Sequence, residues 1–218
     1  MAKIITIAQQ KGGAGKTTLA AHLGVYLAQI GNKVKLIDID PQSSLTFWYN
    51  LRKKKFGEKL IKVDFAAGAG WRLGNLTTDK ENFDYLVIDS PPHTEMESKT
   101  AIRMADMVLV PLQPSPTDLW ATSLTTEFTR SEKKLTRLVL NRCNQSAVMT
   151  KKITPELVNL LQTYLGNRVA FSNCLVKGMC VTETEPHSIA AQEIKSLTKE
   201  VLDLLTTRNE TKYDVKNN

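Results

Sequence analysis

Gln10-Lys11-Gly12-Gly13-Ala14-Gly15-Lys16-Thr17-Thr18 decides the fold of this chain. It follows an apolar run, Ile4–Ala8, and precedes Leu19, Leu23, Leu27 and Ile30, which recur at helical spacing before Gly31. Strand, glycine-rich loop and helix in that order are the context of a phosphate-binding loop. The glycines let backbone N–H groups turn inward around a phosphate, and the helix N-terminus adds partial positive charge. Lys16 would meet the β- and γ-phosphates, and the Thr17 hydroxyl would ligate Mg²⁺. Gly12, Gly13, Ala14, Gly15, Lys16, Thr17 and Thr18 are therefore the candidate nucleotide-binding residues. The common spacing G-x-x-x-x-G-K-[ST] is not met strictly, because its first position falls on Gln10. What stands here is K-G-G-x-G-K-T, with a second lysine, Lys11.

Outward from the loop, Lys33–Ile37, Tyr85–Ile88, Met107–Pro111 and Leu135–Leu140 read as further buried strands, with Leu60–Phe65 and Arg168–Phe171 as weaker candidates. Apolar runs of this length without alternation suit a parallel sheet covered on both faces. A helical stripe, Ala190, Ile194, Leu197, Val201 and Leu204, closes the chain. Alternating strands and helices imply βαβ units. The expected fold is α/β: a doubly wound, mostly parallel sheet with helices on both faces. One domain is expected over residues 1–205, followed by a polar, flexible tail over 206–218.

Two acidic motifs follow the loop. Leu36-Ile37-Asp38-Ile39-Asp40-Pro41-Gln42 ends the second strand, and Tyr85-Leu86-Val87-Ile88-Asp89-Ser90-Pro91-Pro92 ends a later one. Carboxylates at the C-terminal ends of parallel strands sit where open α/β sheets bind ligands. Such a group orders an attacking water or joins the shell of a metal. Asn141 ends another strand, and its amide both donates and accepts, as pairing with an adenine edge requires.

These motifs resemble the deviant Walker A signature of the ParA/MinD superfamily, P-loop ATPases that dimerise face to face around two nucleotides. Gln9-Gln10 before the lysine looks more like the ParA branch, and the resemblance covers roughly residues 2–205. It implies that Lys11 is the signature lysine, reaching across a homodimer to the phosphates of the partner's ATP. It implies that Asp40 positions the attacking water, that Asp38 and Asp89 support the metal with Thr17, and that Asn141 reads the base. Ser90–His93 would form the switch that senses the γ-phosphate, and residues near 171–173 would close over the base. Lys11, Lys16 and Asp40 are the expected catalytic set, with ATP and Mg²⁺ as cofactors.

The chain has 218 residues, 42% of them hydrophobic and 23% charged, which excludes a disordered or fibrous protein. Lys+Arg of 29 against Asp+Glu of 22 gives +7, an excess that favours polyanionic partners. Arg52-Lys53-Lys54-Lys55 with Lys59 and Lys62 forms one basic cluster, and residues 130–152 hold another. Both fit phosphate neutralisation on non-specific DNA. Cys143, Cys174 and Cys180 are an odd number without C-x-x-C spacing, and read as buried thiols in a reducing cytosol. Trp48, Trp71 and Trp120 read as core or partner-surface aromatics. The N-terminus makes a poor signal peptide, and no apolar window is long enough for a transmembrane helix. The expectation is a cytoplasmic, nucleoid-associated ParA-type switch. As an ATP dimer it would bind DNA and position DNA or a protein cargo, with a ParB-like or cargo-adaptor protein stimulating hydrolysis. Two alternatives stay open. One is a MinD-like membrane-positioning ATPase, although residues 206–218 offer little apolar surface to insert. The other is a small-molecule enzyme on the same scaffold, similar to dethiobiotin synthetase.

Overall fold

A computed structural model of the protein describes residues 1–57, 63–67, 79–92 and 96–214. The described strands are β1 (Lys3–Ile7), β2 (Val34–Asp38), β3 (Val63–Ala67), β4 (Tyr85–Asp89), β5 (Met107–Leu112) and β6 (Leu135–Leu140). They form one sheet in the order β3-β2-β4-β1-β5-β6, and every pairing is parallel. The helices used below are α1 (Lys16–Gln29), α2 (Ser44–Phe56), α3 (Met96–Met104), α4 (Pro116–Ser131), α5 (Val148–Ile153), α6 (Val169–Leu175), α7 (Val181–Thr184) and α8 (Ile189–Asp214).

The strands lack a polar face because both faces are covered. Ile5, Ile7, Leu36, Val87 and Leu109 join one buried cluster with α1 and α8. Ile4, Ile37, Leu86, Ile88, Val108 and Val110 join the other, beneath Ala101 and Ile102 of α3. Neighbouring residues fall into opposite clusters, which is the period-2 alternation of a strand sandwiched between helices. Helix α1 lies close on the sheet: a Cβ added at Gly24 would stand 2.4 Å from Leu36 Cδ2. It ends as expected at Gly31, whose φ is +98°. Helix α4 starts on Ser115, which accepts the Asp118 N–H, with Pro116 in the first turn.

In register, Asp38 of β2 lies beside Asp89 of β4, and Asp89 lies beside Ile7 of β1. The loops after β1, β2 and β4 therefore open at one edge of the sheet. At the other flank, β6 is only half covered. Leu138 N–H donates to Asn159 O, and Leu161 and Leu165 N–H donate to Leu138 and Leu140 O.

Two expectations change. Arg168–Phe171 is not a strand: Val169–Leu175 is helical, burying Phe171 and Cys174 three residues apart on one face. The candidate Leu60–Phe65 becomes β3 from Val63, with residues 60–62 outside the described residues. Helix α8 extends to Asp214, into the polar stretch that begins at residue 206; residues 215–218 lie outside the described residues. No helix among the described residues is long and apolar enough to cross a membrane.

Candidate functional site

The loop between β1 and α1 closes over a cleft of about 560 Å³, lined by Gly13, Lys16, Thr17, Asp40, Arg142 and Val176 among others. Gly15 caps α1 with φ +96°, a left-handed conformation that L side chains rarely adopt. It is also packed: a Cβ there would lie 2.1 Å from Asn141 Nδ2. Only glycine satisfies both demands.

Lys16 opens α1 and is 6% exposed. Burial pulls its pKa below the ordinary lysine value, and the charges of Asp89 and Asp40 act the other way. Thr17 Oγ1 donates to Asp89 Oδ2 at 2.7 Å. Asp89 is fully buried, and its Oδ1 has no hydrogen-bond partner among the described residues. Burial raises its pKa to about 7; Asp38 and Asp40 push it further up, while Thr17 and Lys16 oppose. An orphaned buried carboxylate oxygen beside a hydroxyl is a hard-oxygen pair that a divalent cation satisfies. No cluster of three or more His, Cys, Asp or Glu able to cage a metal occurs among the described residues.

Asp40 lines the cleft, its Oδ1 accepting the Gln42 N–H at 2.9 Å. Asp38 is held by protein donors. Its Oδ2 accepts the Thr46 N–H at 2.8 Å and the Thr46 hydroxyl at 2.7 Å, and its Oδ1 accepts the Asp40 N–H. It serves as the bracket that starts α2. Asn141 is likewise committed elsewhere. Its Nδ2 donates to Ala14 O at 2.8 Å and its Oδ1 accepts the Arg142 N–H, so its amide edge holds up the loop in this structure rather than facing a base. The neighbours placed on the cleft are Arg142, Leu175 and Val176. Arg142 takes φ +49°, which helps carry its side chain out of the strand.

Lys11 sits on the outer side of the loop. Its Nζ pairs with Asp118 Oδ2 at the start of α4 and donates to Thr117 Oγ1 at 3.0 Å. Burial pushes the Asp118 carboxyl up, but bonds from Lys11, Ser115 and Gln113 outweigh it, and its pKa lies below the usual carboxylate value. Two more ties join α4 and its entry to the loop. Gln9 Nε2 donates to Thr122 Oγ1 at 2.9 Å, and Gln113 Nε2 to Gly13 O at 3.3 Å. Sequence reasoning missed Asp118. Its signal was Ser115-Pro116-x-Asp118, a helix start, but nothing local points to a lysine more than a hundred residues upstream.

Around the base of α1, His22 is fully buried. Its Nδ1–H donates to Thr18 O at 2.8 Å, and its Nε2 lies 3.4 Å from Cys174 Sγ on α6. Burial lowers its pKa to about 4. All three cysteines are buried and free, and burial raises each thiol's pKa. Trp48 is core and Trp120 is surface, while Trp71, His93, Lys59 and Lys62 lie outside the described residues. The basic clusters do not survive intact. Arg52 is 2% exposed and forms a bidentate pair with Glu183 on α7. Lys134 binds the carbonyls of Arg103 and Ala105, and Arg142 belongs to the cleft. Exposed positions that remain from the clusters include Lys54, Lys55, Lys151 and Lys152.

Residues 5–201 match the family model described as the CobQ/CobB/MinD/ParA nucleotide binding domain. The chain is 31% identical over 209 residues to maintenance of carboxysome distribution protein A of Halothiobacillus neapolitanus, covering 91% of this chain and 95% of that protein. It is 34% identical to sporulation initiation inhibitor protein Soj of Bacillus subtilis, over 52% of this chain and 59% of that one. Its fold matches that of the septum site-determining protein MinD of Pyrococcus horikoshii, solved with Mg-ADP, with TM-score 0.77, 20% identity, and 92% and 96% of the two chains covered.

Proposed function

The chain belongs to the CobQ/CobB/MinD/ParA family of nucleotide-binding domains, and from that premise we propose that it is an ATP-dependent dimerisation switch of the ParA type. It binds and slowly hydrolyses ATP and carries DNA or a protein cargo to its position in the cell. The single observation that carries this reading is the placement of Lys11. It stands on the outer side of the loop, paired with Asp118, while Lys16 fills the cationic role inside. A second lysine outside the lining of its own cleft supports a role on another molecule's phosphates.

In this reading the loop N–H groups and the α1 N-terminus cradle the phosphates. Lys16, buried yet held cationic by Asp89 and Asp40, offsets charge that spreads over the transferring phosphoryl group. Asp40, with an oxygen left over, orients the attacking water. Thr17 and Asp89 are the residues that would hold Mg²⁺, which neutralises phosphate charge when bound. Lys11 leaves Asp118 and completes the partner's site in a homodimer. The dimer binds DNA non-specifically through exposed lysines, among them Lys54, Lys55, Lys151 and Lys152, and a ParB-like or cargo-adaptor protein speeds hydrolysis and release. The carboxysome-distribution relative supports a protein cargo, and the Soj relative is named for sporulation control.

The test is Asp40→Ala, assayed for ATP turnover and for cosedimentation with non-specific DNA in ATP and in ADP across a salt series. Turnover should fall about a hundredfold while ATP binding persists. DNA binding should require ATP and weaken steeply with salt. Unchanged turnover would remove Asp40 from its role, and nucleotide-independent DNA binding would remove the switch.

A further inference from the structure

A groove on the far side of α4 from the phosphate loop has no place in the reading so far. It has a volume of about 390 Å³ and runs between α4, the start of β6 and residues 156–159. That is within the usual range of ligand-sized clefts. Leu119 and Leu138 form its apolar floor, with the hydroxyl residues Thr122, Ser123 and Thr126 beside them, and its two lips are Trp120, 68% exposed, and Val158, 71% exposed. Arg130, Lys134 and Arg137 line it against one carboxylate, Glu156.

Arg137 is the informative cation. Among the described residues its guanidinium has a hydrogen bond only to the Thr136 carbonyl, at 2.9 Å, with Glu200 acting at longer range. Burial lowers its pKa below the ordinary guanidinium value, and the Glu200 charge acts the other way. The backbone adds a second feature. The segment that covers the sheet edge begins its bonds to β6 at Leu138. Thr136, two residues earlier and so in the same outward phase, has no such neighbour strand among the described residues, and its carbonyl is held by the Arg137 guanidinium.

We infer that this groove docks an extended acidic peptide of a protein partner, with one large apolar side chain seated between Trp120 and Val158 and carboxylates on Arg130 and Arg137. Three cations against one anion select for negative charge, and charge-assisted pairing with a half-buried guanidinium adds affinity and orientation. Apolar lips and floor, with an internal carboxylate, favour a peptide over a phosphate backbone. Thr122 lines this groove and also receives the Gln9 hydrogen bond, so the docked segment touches the same helix that holds Lys11. Any effect on ATP turnover through that helix rests on the switch reading; the docking does not.

The experiment pans a phage-displayed random peptide library on the full chain. The consensus peptide is then synthesised, and its binding is measured by fluorescence anisotropy without nucleotide. The expected consensus carries Asp or Glu flanking a Leu, Ile or Phe. Arg137→Glu and Trp120→Ala should each weaken it at least about tenfold while leaving the thermal melt and ATP-analogue binding at parental values. A basic or uncharged consensus, no enrichment, or indifference to both substitutions would overturn the assignment. So would a short DNA duplex whose binding is lost with Arg137→Glu when the peptide's is not. ATP turnover with the peptide bound is read separately: no change there would break the link to the switch and leave the docking result standing.

Discussion

The phosphate loop has two flanks, and they are built to opposite rules. On the inner flank, Gly15 rests on Asn141, Thr17 on Asp89 and the first turn of α1 on His22, each of these three supports being buried. On the outer flank, Lys11, with its side chain 36% exposed, meets the buried Asp118 carboxylate and the exposed Thr117 hydroxyl. Both flanks are well bonded, so bond number does not separate them. Solvent does. Breaking an inner contact leaves a buried polar group unmatched, which costs its full desolvation. Breaking the outer pair returns the lysine to water, while the buried Asp118 carboxylate keeps its bonds from Gln113 and Ser115. A loop held this way keeps its phosphate cradle fixed while one cation stays free to leave.

The largest effect should come from breaking the inner flank at its tightest point. In Gly15→Ala the new Cβ meets Asn141 Nδ2 and must hold φ near +96°. Asn141 then gives up its bond to Ala14 O. We expect about 3 kcal/mol of lost stability in urea unfolding, from strain and the unmatched amide together. ATP-analogue binding should disappear. Gly12→Ala, with nothing within 4 Å of its added Cβ, is the matched control and should cost well under half as much. Equal effects at the two positions would mean that the inner flank yields, and the contrast with Lys11 would fail.

A middle-sized effect sits at His22 and is read through pH. Burial sets its folded pKa near 4, against an ordinary value of 6.5. Below 6.5 the unfolded chain takes up a proton that the folded chain refuses, so this group removes stability as pH falls, about 2 kcal/mol between pH 7 and pH 5. Asp89 has the opposite sign. Its folded pKa near 7 lets the folded chain take a proton first, so stability rises as pH falls from 7 toward the ordinary 3.8. The two partly cancel in the parent. In His22→Asn only the Asp89 arm remains. The stability difference, variant minus parent, should therefore shift in the variant's favour by about 2 kcal/mol from pH 7 to pH 5 in urea midpoints. A flat difference would place water at His22 and soften the inner flank.

The inner flank was also the more legible one, and the reason is physical. A phosphate cradle is a local object. Glycines, a lysine and a threonine must be consecutive, and the strand and helix around them announce themselves by period. Asp89 was readable because it ends an apolar run, and so were the sheet and its two covered faces. What sequence could not supply were contacts across the chain. Asp38 and Asn141 stood at strand ends, where ligand chemistry is expected, yet Thr46 and the Ala14 carbonyl hold them in the scaffold. Arg52 read as the head of a basic surface run and is buried against Glu183, because its partner lies on α7, far along the chain. Arg168–Phe171 read as a weaker strand candidate because a short apolar run has no period long enough to separate strand from helix.

The smallest effect on stability, and the sharpest test of the comparison, is Asp118→Asn. Asparagine keeps an oxygen for the Gln113 N–H, but it loses the charge that holds Lys11. Because Lys11 is 36% exposed and asparagine leaves no buried charge unpaired, unfolding should shift by less than about 1 kcal/mol. Lys11 itself should respond more. Its amine, freed of a carboxylate and a hydroxyl, should acetylate several-fold faster, as mass spectrometry of the modified chain would read. The parent pair is not undone by mild acid. Asp118 titrates below the usual carboxylate range, so its share of stability is present above the ordinary 3.8 and is lost only as pH falls through that lower value. Near neutrality only a competing anion can take Lys11 away, and a second molecule's nucleotide phosphates supply one. If Asp118→Asn cost several kcal/mol and left Lys11 labelling unchanged, the outer flank would be as fixed as the inner one, and Lys11 would have no freedom to serve a partner.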